Sequence, residues 1–277
     1  MHSEDRATLD TTTEQCAICG GTGFTIVKTE DRNGKVVAKA STCDCRIQSR
    51  AARLLKQARI PPRYEHCDLS SFEFQGALGS LLPARMAACK FVEEFPFDKT
   101  GNGLLFIGPV GVGKTHLAVA IMKALILQQG VQCLFCDYRE LMKEIQNSYE
   151  REVEQTELGV LRPILNAEVL LLDELAAVRS TNSNWMSEQI QFVINTRYNS
   201  AKPTLITTNY RDLPPGGVMQ EHQGRPSSYS PAARANREET LGDRIGERMR
   251  SRLHEMCRIV PMQGEDYRIK YKPASFD

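Results

Sequence analysis

The chain has 277 residues, 41% of them hydrophobic, and a net charge of +1. That is enough apolar material for a full α/β core with one small appendage, and too even a charge for a polycation gripping nucleic acid through a global field. No stretch approaches an apolar membrane span, and the start Met1-His2-Ser3-Glu4-Asp5-Arg6 is polar and acidic rather than a signal sequence, so a soluble, cytoplasmic protein with no membrane partner is expected.

Nine cysteines call for an explanation, and four of them cluster near the start. Cys16-Ala17-Ile18-Cys19-Gly20-Gly21-Thr22-Gly23 reads as a knuckle whose glycines permit a tight turn around a metal, and Cys43-Asp44-Cys45 supplies a second pair. Between them, residues 24–28 and 35–38 read as a hairpin turning at Asn33-Gly34. Four thiolates, Cys16, Cys19, Cys43 and Cys45, around a tetrahedral Zn²⁺ hold together a module too small to have its own core. The second pair is CxC rather than the commoner CxxC, which leaves Cys67 or His66 open as a substitute ligand. Residues 46–59 contain no acidic side chain, and Ile47, Ala51, Leu54, Leu55 and Ala58 form an apolar stripe beside a cationic face. Such a helix can grip a nucleic-acid backbone or an acidic partner, or simply present a solvated face. Ile60-Pro61-Pro62-Arg63-Tyr64 ends it, giving a zinc module at 1–59 and a core at 60–277.

The core opens with a buried strand at residues 104–107, followed by Gly108-Pro109-Val110-Gly111-Val112-Gly113-Lys114-Thr115, which fits Gly-x-x-x-x-Gly-Lys-Ser/Thr. In that setting backbone N–H groups curl around a polyphosphate, Lys114 reaches its β and γ oxygens, and the Thr115 hydroxyl faces Mg²⁺. A helix from His116 to about residue 128 adds its positive end to the same anion. The nucleotide contacts expected are therefore Gly108, Pro109, Gly111, Val112, Gly113, Lys114, Thr115 and His116. Cys133-Leu134-Phe135-Cys136 has CxxC spacing but lies in a predicted buried strand, where alternate residues face opposite ways.

Residues 167–172 form an apolar strand ending in Asp173-Glu174. In a parallel sheet that end arrives beside the phosphate loop, with Asp173 holding Mg²⁺ and Glu174 orienting the water that attacks the γ-phosphate. A further strand at 203–209 ends in Asn209, placed to report on the γ-phosphate. Residues 214–239 are rich in breakers and read as a mobile loop. A helix over 241–253 carries Arg248 and Arg252 four apart on one face, suited to reach into a neighbouring subunit's site, or to pair locally with Asp243 and Glu247. The tail reads as strand at 257–260 and at 267–271.

The ordered set GPVGVGKTH, LLLDEL, TLITTN and IGERMRSRL resembles the AAA+ helicase-loader family, the DnaC/DnaI-like proteins and the related IstB transposition helpers, over roughly residues 60–270. The resemblance implies an α/β P-loop core, its parallel sheet flanked by helices, without a C-terminal helical lid. It also implies a homo-oligomer with ATP at subunit interfaces and arginines supplied in trans. By the same resemblance Lys143, Tyr149 and Arg151 lie in a segment that lines a single-stranded DNA path, and Tyr64 or Phe72 approaches the adenine. The expected function is an ATPase that loads a replicative hexameric helicase onto single-stranded DNA, binding the helicase through the zinc module. An IstB-like helper of a DNA transposase is the alternative. A small-molecule phosphotransferase shares the loop but has no use for trans arginines, and a nucleotide-gated adaptor would show little turnover.

Overall fold

The computed structural model describes residues 16–30, 36–72, 78–97, 103–149, 156–177, 184–217 and 238–271. The chain divides into two compact units, residues 1–53 and 54–277. The predicted turn at Asn33-Gly34, the predicted Arg151 contact and most of the predicted mobile loop lie outside the described residues.

In the first unit β1 (Phe24–Glu30) and β2 (Val36–Thr42) pair antiparallel, from Phe24 opposite Thr42 to Glu30 opposite Val36. Every residue of β2 is exposed, and Ile26 on β1 is 79% exposed. A two-stranded sheet with so little burial is marginal in water and needs a staple from elsewhere. Helix α1 (Asp44–Gln57) begins directly after Cys43, with Asp44 in its first turn and Lys56 in its last, each complementing the helix dipole. Of the predicted apolar stripe, Ala51, Leu54 and Ala58 are buried and Ile47 remains exposed.

The second unit is built on a five-stranded parallel sheet in the order β4-β5-β6-β3-β7. Its strands are β3 (Gly103–Ile107), β4 (Cys133–Asp137), β5 (Val169–Asp173), β6 (Thr204–Thr208) and β7 (Cys257–Pro261). Strands β3, β5 and β6 are buried along their whole length, which is why they read as unbroken apolar runs. Alternation sends Leu104, Phe106, Leu171 and Leu205 to one face and Leu105, Leu170, Leu172 and Ile206 to the other. The first face packs on α2 (Leu78–Glu93) and α3 (Lys114–Gln129) through Leu117, Ile121 and Leu125. The second packs on α4 (Tyr138–Asn147), α5 (Glu157–Asn166) and α6 (Asn184–Asn199). At the outer edge of β4, the Phe135 N–H donates to the Ala58 carbonyl at 2.8 Å, so the edge does not stand bare there.

Two predicted elements change. The single helix over 241–253 breaks at Gly246, whose φ of 79° a helix interior does not accept, into α7 (Leu241–Ile245) and α8 (Glu247–Met256). The break leaves α7 closed by its own capping box between Thr240 and Asp243. The tail segment at 267–271 is not a strand but a helical turn, α9 (Tyr267–Tyr271). Its alternation of apolar or aromatic and basic residues mimics a strand, yet Asp266 Oδ1 accepts from the Arg268 N–H at 2.9 Å and starts a turn instead. The strand predicted at 257–260 is β7, parallel to β3 at the sheet edge. Among the described residues no helical domain follows α8.

The largest fully buried side chain among the described residues of this unit is a charged one. Arg197 on α6 is fully buried, and its guanidinium donates to Thr204 Oγ1 (2.9 Å) and to the carbonyls of Ile164 (3.0 Å), Ala167 (2.9 Å) and Pro203 (2.7 Å). It thereby ties the end of α5, the approach to β5 and the approach to β6 into one corner. Burial lowers its pKa to about 10, which still leaves it charged at neutral pH. Arg197→Met keeps the stem but strands these acceptors; urea denaturation should show a loss of at least about 3 kcal/mol, since each unpaired buried group costs about 1–3 kcal/mol.

Candidate functional site

The parallel sheet delivers the C-terminal ends of β3, β5 and β6 to the same edge. From β3 the loop Gly108–Gly113 turns back through Gly111 (φ 77°) and Gly113 (φ 100°), conformations that a side chain resists. Helix α3 starts at Lys114 with no side-chain cap and no acidic residue in its first turn, which leaves its first N–H groups to an anion. Lys114 is buried, and its Nζ donates to the Gly108 (2.9 Å) and Pro109 (2.6 Å) carbonyls. Burial pulls its pKa down to about 8, opposed by the nearby charges of Asp173 and Glu174. The loop has a wall as well: the Met262 N–H donates to Ile107 O (2.7 Å), the Tyr267 N–H donates to Gly111 O (3.1 Å), and the Asp266 carboxylate occupies the space where a Gly111 side chain would go.

Asp173 closes the site from β5. It is 1% exposed, and its Oδ1 accepts from Thr115 Oγ1 at 2.8 Å and from Thr207 Oγ1 at 2.6 Å. Its Oδ2 is buried with no hydrogen-bond partner. Desolvation pushes this carboxyl above the usual range, and the two hydroxyls pull it back. A buried, unpartnered carboxylate oxygen beside a threonine hydroxyl suits a hard cation that takes oxygen ligands, so Asp173 and Thr115 fit Mg²⁺.

Glu174 follows in a left-handed conformation (φ 55°), held because its N–H donates to Thr207 Oγ1 (2.9 Å) and the Leu175 N–H donates to Thr207 O (2.8 Å). Its carboxylate pairs with Arg139 Nη2 at 3.3 Å, a partly solvated contact from the first turn of α4. Asn209 comes directly after β6 and is exposed, while the Gly108 N–H donates to Thr208 O (3.4 Å). Val112 is buried. His116 turns toward the segment before α2: its Nε2 donates to Asp68 O (3.1 Å) and its ring meets Phe72 edge-on at 5.4 Å.

The loop, Asp173, Glu174 and the end of β6 thus converge. Arg248 and Arg252 do not join them within the chain. Both are exposed on α8; Arg252 donates to Asn195, and Arg248 makes no ion pair among the described residues. The inward-tied arginine of that helix is Arg250, which pairs with Asp212 (2.7 Å) and Glu247 (3.1 Å).

In the first unit the sulfur atoms of Cys16, Cys19, Cys43 and Cys45 all lie within 4.8 Å of one another, with Cys16 to Cys43 at 3.8 Å and Cys19 to Cys45 at 3.5 Å. Tetrahedral zinc–thiolate bonds put sulfurs about 3.8 Å apart, so the four fit Zn²⁺ without a substitute. The Gly23 N–H donates to Cys19 Sγ (3.3 Å) and lowers that thiol to about 6, which favours the thiolate a metal needs.

The family of IstB-like ATP binding proteins matches over residues 25–213. The chain belongs to that family. It is 28% identical to the uncharacterized protein YqaM of Bacillus subtilis over 85% of the chain and 67% of that protein. It is also 28% identical to the replicative helicase loader DnaC of Escherichia coli K12, spanning 57% of the chain and 61% of that relative's length. Among solved structures, a DnaC helicase loader matches with a TM-score of 0.55 and 31% identity, covering 73% of this chain and 99% of that one. Among the described residues no helix of this IstB-like protein is long and apolar enough to cross a membrane.

Three parts of the site in this IstB-like chain went unread in the sequence: Thr207, Arg139 and the wall at 262–267. Thr207 left a signal, since β6 carries buried threonines at 204, 207 and 208 where a central strand otherwise takes aliphatic residues. Thr207→Val keeps the shape but removes the donor to Asp173 and the acceptor for the Glu174 N–H. A loss of about 1–3 kcal/mol is expected in denaturant unfolding. Because the hydroxyl favours the ionised carboxylate, the gap between variant and parent should narrow as the pH falls through Asp173's raised pKa.

Proposed function

We propose that this IstB-like protein is a Mg²⁺-dependent ATPase that loads a replicative hexameric helicase onto single-stranded DNA. The observation that carries the ATPase reading is the buried, unpartnered Oδ2 of Asp173, set at the phosphate loop one residue before Glu174. In this reading the α3 N-terminus and Lys114 hold the phosphates, and Thr115 with Asp173 holds the metal, which neutralises phosphate charge. Glu174 orients the attacking water once it leaves Arg139, and Asn209 senses the γ-phosphate. Arg248 and Arg252, exposed on α8, act on a neighbouring copy's nucleotide.

Zinc in the four-thiol cluster staples the first unit, which meets the helicase. The exposed apolar side chains of its hairpin, Phe24, Ile26, Val27, Val36 and Val37, support a protein partner there. Single-stranded DNA then runs past the exposed Lys143 and Tyr149. The second reading, delivery of a transposase to DNA, is favoured by the family match itself; capture of a helicase by the first unit separates the two.

ATP turnover by the purified protein, with and without single-stranded DNA and across protein concentration, tests the ATPase. Turnover per molecule should rise with both. Glu174→Gln should cut it by about 10²–10⁴-fold while nucleotide still binds, and full activity in that variant would remove Glu174 from hydrolysis. Arg248→Ala should abolish the concentration dependence. Stripping zinc with a chelator should erase amide-exchange protection in β1 and β2 and leave β3, β5 and β6 protected.

A further inference from the structure

We propose that His66, Cys67 and His116 form a second transition-metal site, separate from the four-thiol cluster, that takes Zn²⁺ on two imidazoles and one thiolate with water as the fourth ligand. One ligand atom from each of the three lies within 4.8 Å of the others, and His66 Nε2 stands 4.0 Å from Cys67 Sγ. Tetrahedral zinc with bonds of about 2.0–2.3 Å sets such atoms about 3.3–3.6 Å apart, so modest side-chain rotation closes the set.

The three residues come from two segments, His66 and Cys67 from the turn after Pro62–Tyr64 and His116 from α3. Cys67 is 1% exposed and its N–H donates to Tyr64 O at 3.0 Å, at the end of the short 3-10 turn Pro62–Tyr64. His116 stands in the first turn of α3, two residues past Lys114, and its ring is held by Asp68 O (3.1 Å) and Ser71 Oγ (3.4 Å). Outer partners of this kind orient the imidazoles of metal centres. His66 is exposed, which leaves a path for the ion and a place for water. The ring centroids of His66 and His116 are 6.0 Å apart, edge to face.

The donor set decides the ion. Two nitrogens and a sulfur select zinc or a related borderline metal and reject Mg²⁺, whose oxygen ligands are Thr115 and Asp173. The four thiols near the start are complete among themselves, so His66 and Cys67 are not spare ligands for that cluster. A metal here fastens the turn at 66–68 to the helix whose first residues form the phosphate site, and so links metal occupancy to the nucleotide.

The test uses full-length protein loaded with Zn²⁺ and freed of excess. Zinc per chain is measured for the parent, His66→Asn, Cys67→Ser and Cys19→Ser. His66→Asn should hold one equivalent less than the parent, and Cys19→Ser should lose a different one, so that the double variant loses both. With Co²⁺ as the probe, the parent-minus-His66→Asn difference spectrum should show a single-thiolate charge-transfer band, absent when Cys67→Ser replaces the parent. Cys67 is buried and its variant can fail to fold; His66 is exposed, so its variant carries the test alone. Equal zinc in parent and His66→Asn, at either one or two equivalents, overturns the proposal.

Discussion

A single carboxylate oxygen holds the nucleotide site together. Asp173 Oδ1 receives one hydroxyl from the helix that follows the phosphate loop and another from β6, so three consecutive parts of the sheet edge meet on one acceptor. Taking that charge out of water costs several kcal/mol, and two neutral donors do not offset it. The unpartnered lone pairs on Oδ2 are where a cation would offset that cost. Glu174's left-handed backbone depends on the same network, because Thr207 supplies both the donor to Asp173 and the acceptor for Glu174.

Much of this was legible beforehand. Gly111, Gly113 and Lys114 announce themselves because few other uses exist for glycines and a lysine at that spacing after a buried strand, and Asp173-Glu174 because two acids rarely end an aliphatic run. The four thiols were legible for a similar reason, since a module this small must be stapled. What stayed hidden depends on long-range pairing. Arg139 meets Glu174 only through the parallel register of β4 with β5, which sets Asp137 opposite Asp173. The α9 segment misled because period-two alternation over five residues carries no information about whether a neighbouring strand exists, whereas Asp266 offers a local cap.

The two units are stabilised by different means. The sheet of the second buries strands on both faces and anchors its corner with the Arg197 guanidinium among backbone carbonyls. Most of the described side chains of the first unit's hairpin are exposed, and local hydrogen bonds, the Arg46 guanidinium over the Phe24 ring and the geometry of four sulfurs define it. A cation bound at the four sulfurs would therefore act on the folding of the first unit, whereas one bound at Asp173 would act on a single edge of the second.

The wall against the phosphate loop comes from the far end of the second unit. Strand β7 is the last of the five strands to leave the ribosome, yet it lies beside β3, and Met262, Asp266 and Tyr267 complete the surroundings of a loop made much earlier. The glycines and Lys114 are thus made well before the neighbour that shapes their surroundings. The phosphate loop therefore has its full surroundings only once residues 257–267 are folded beside β3.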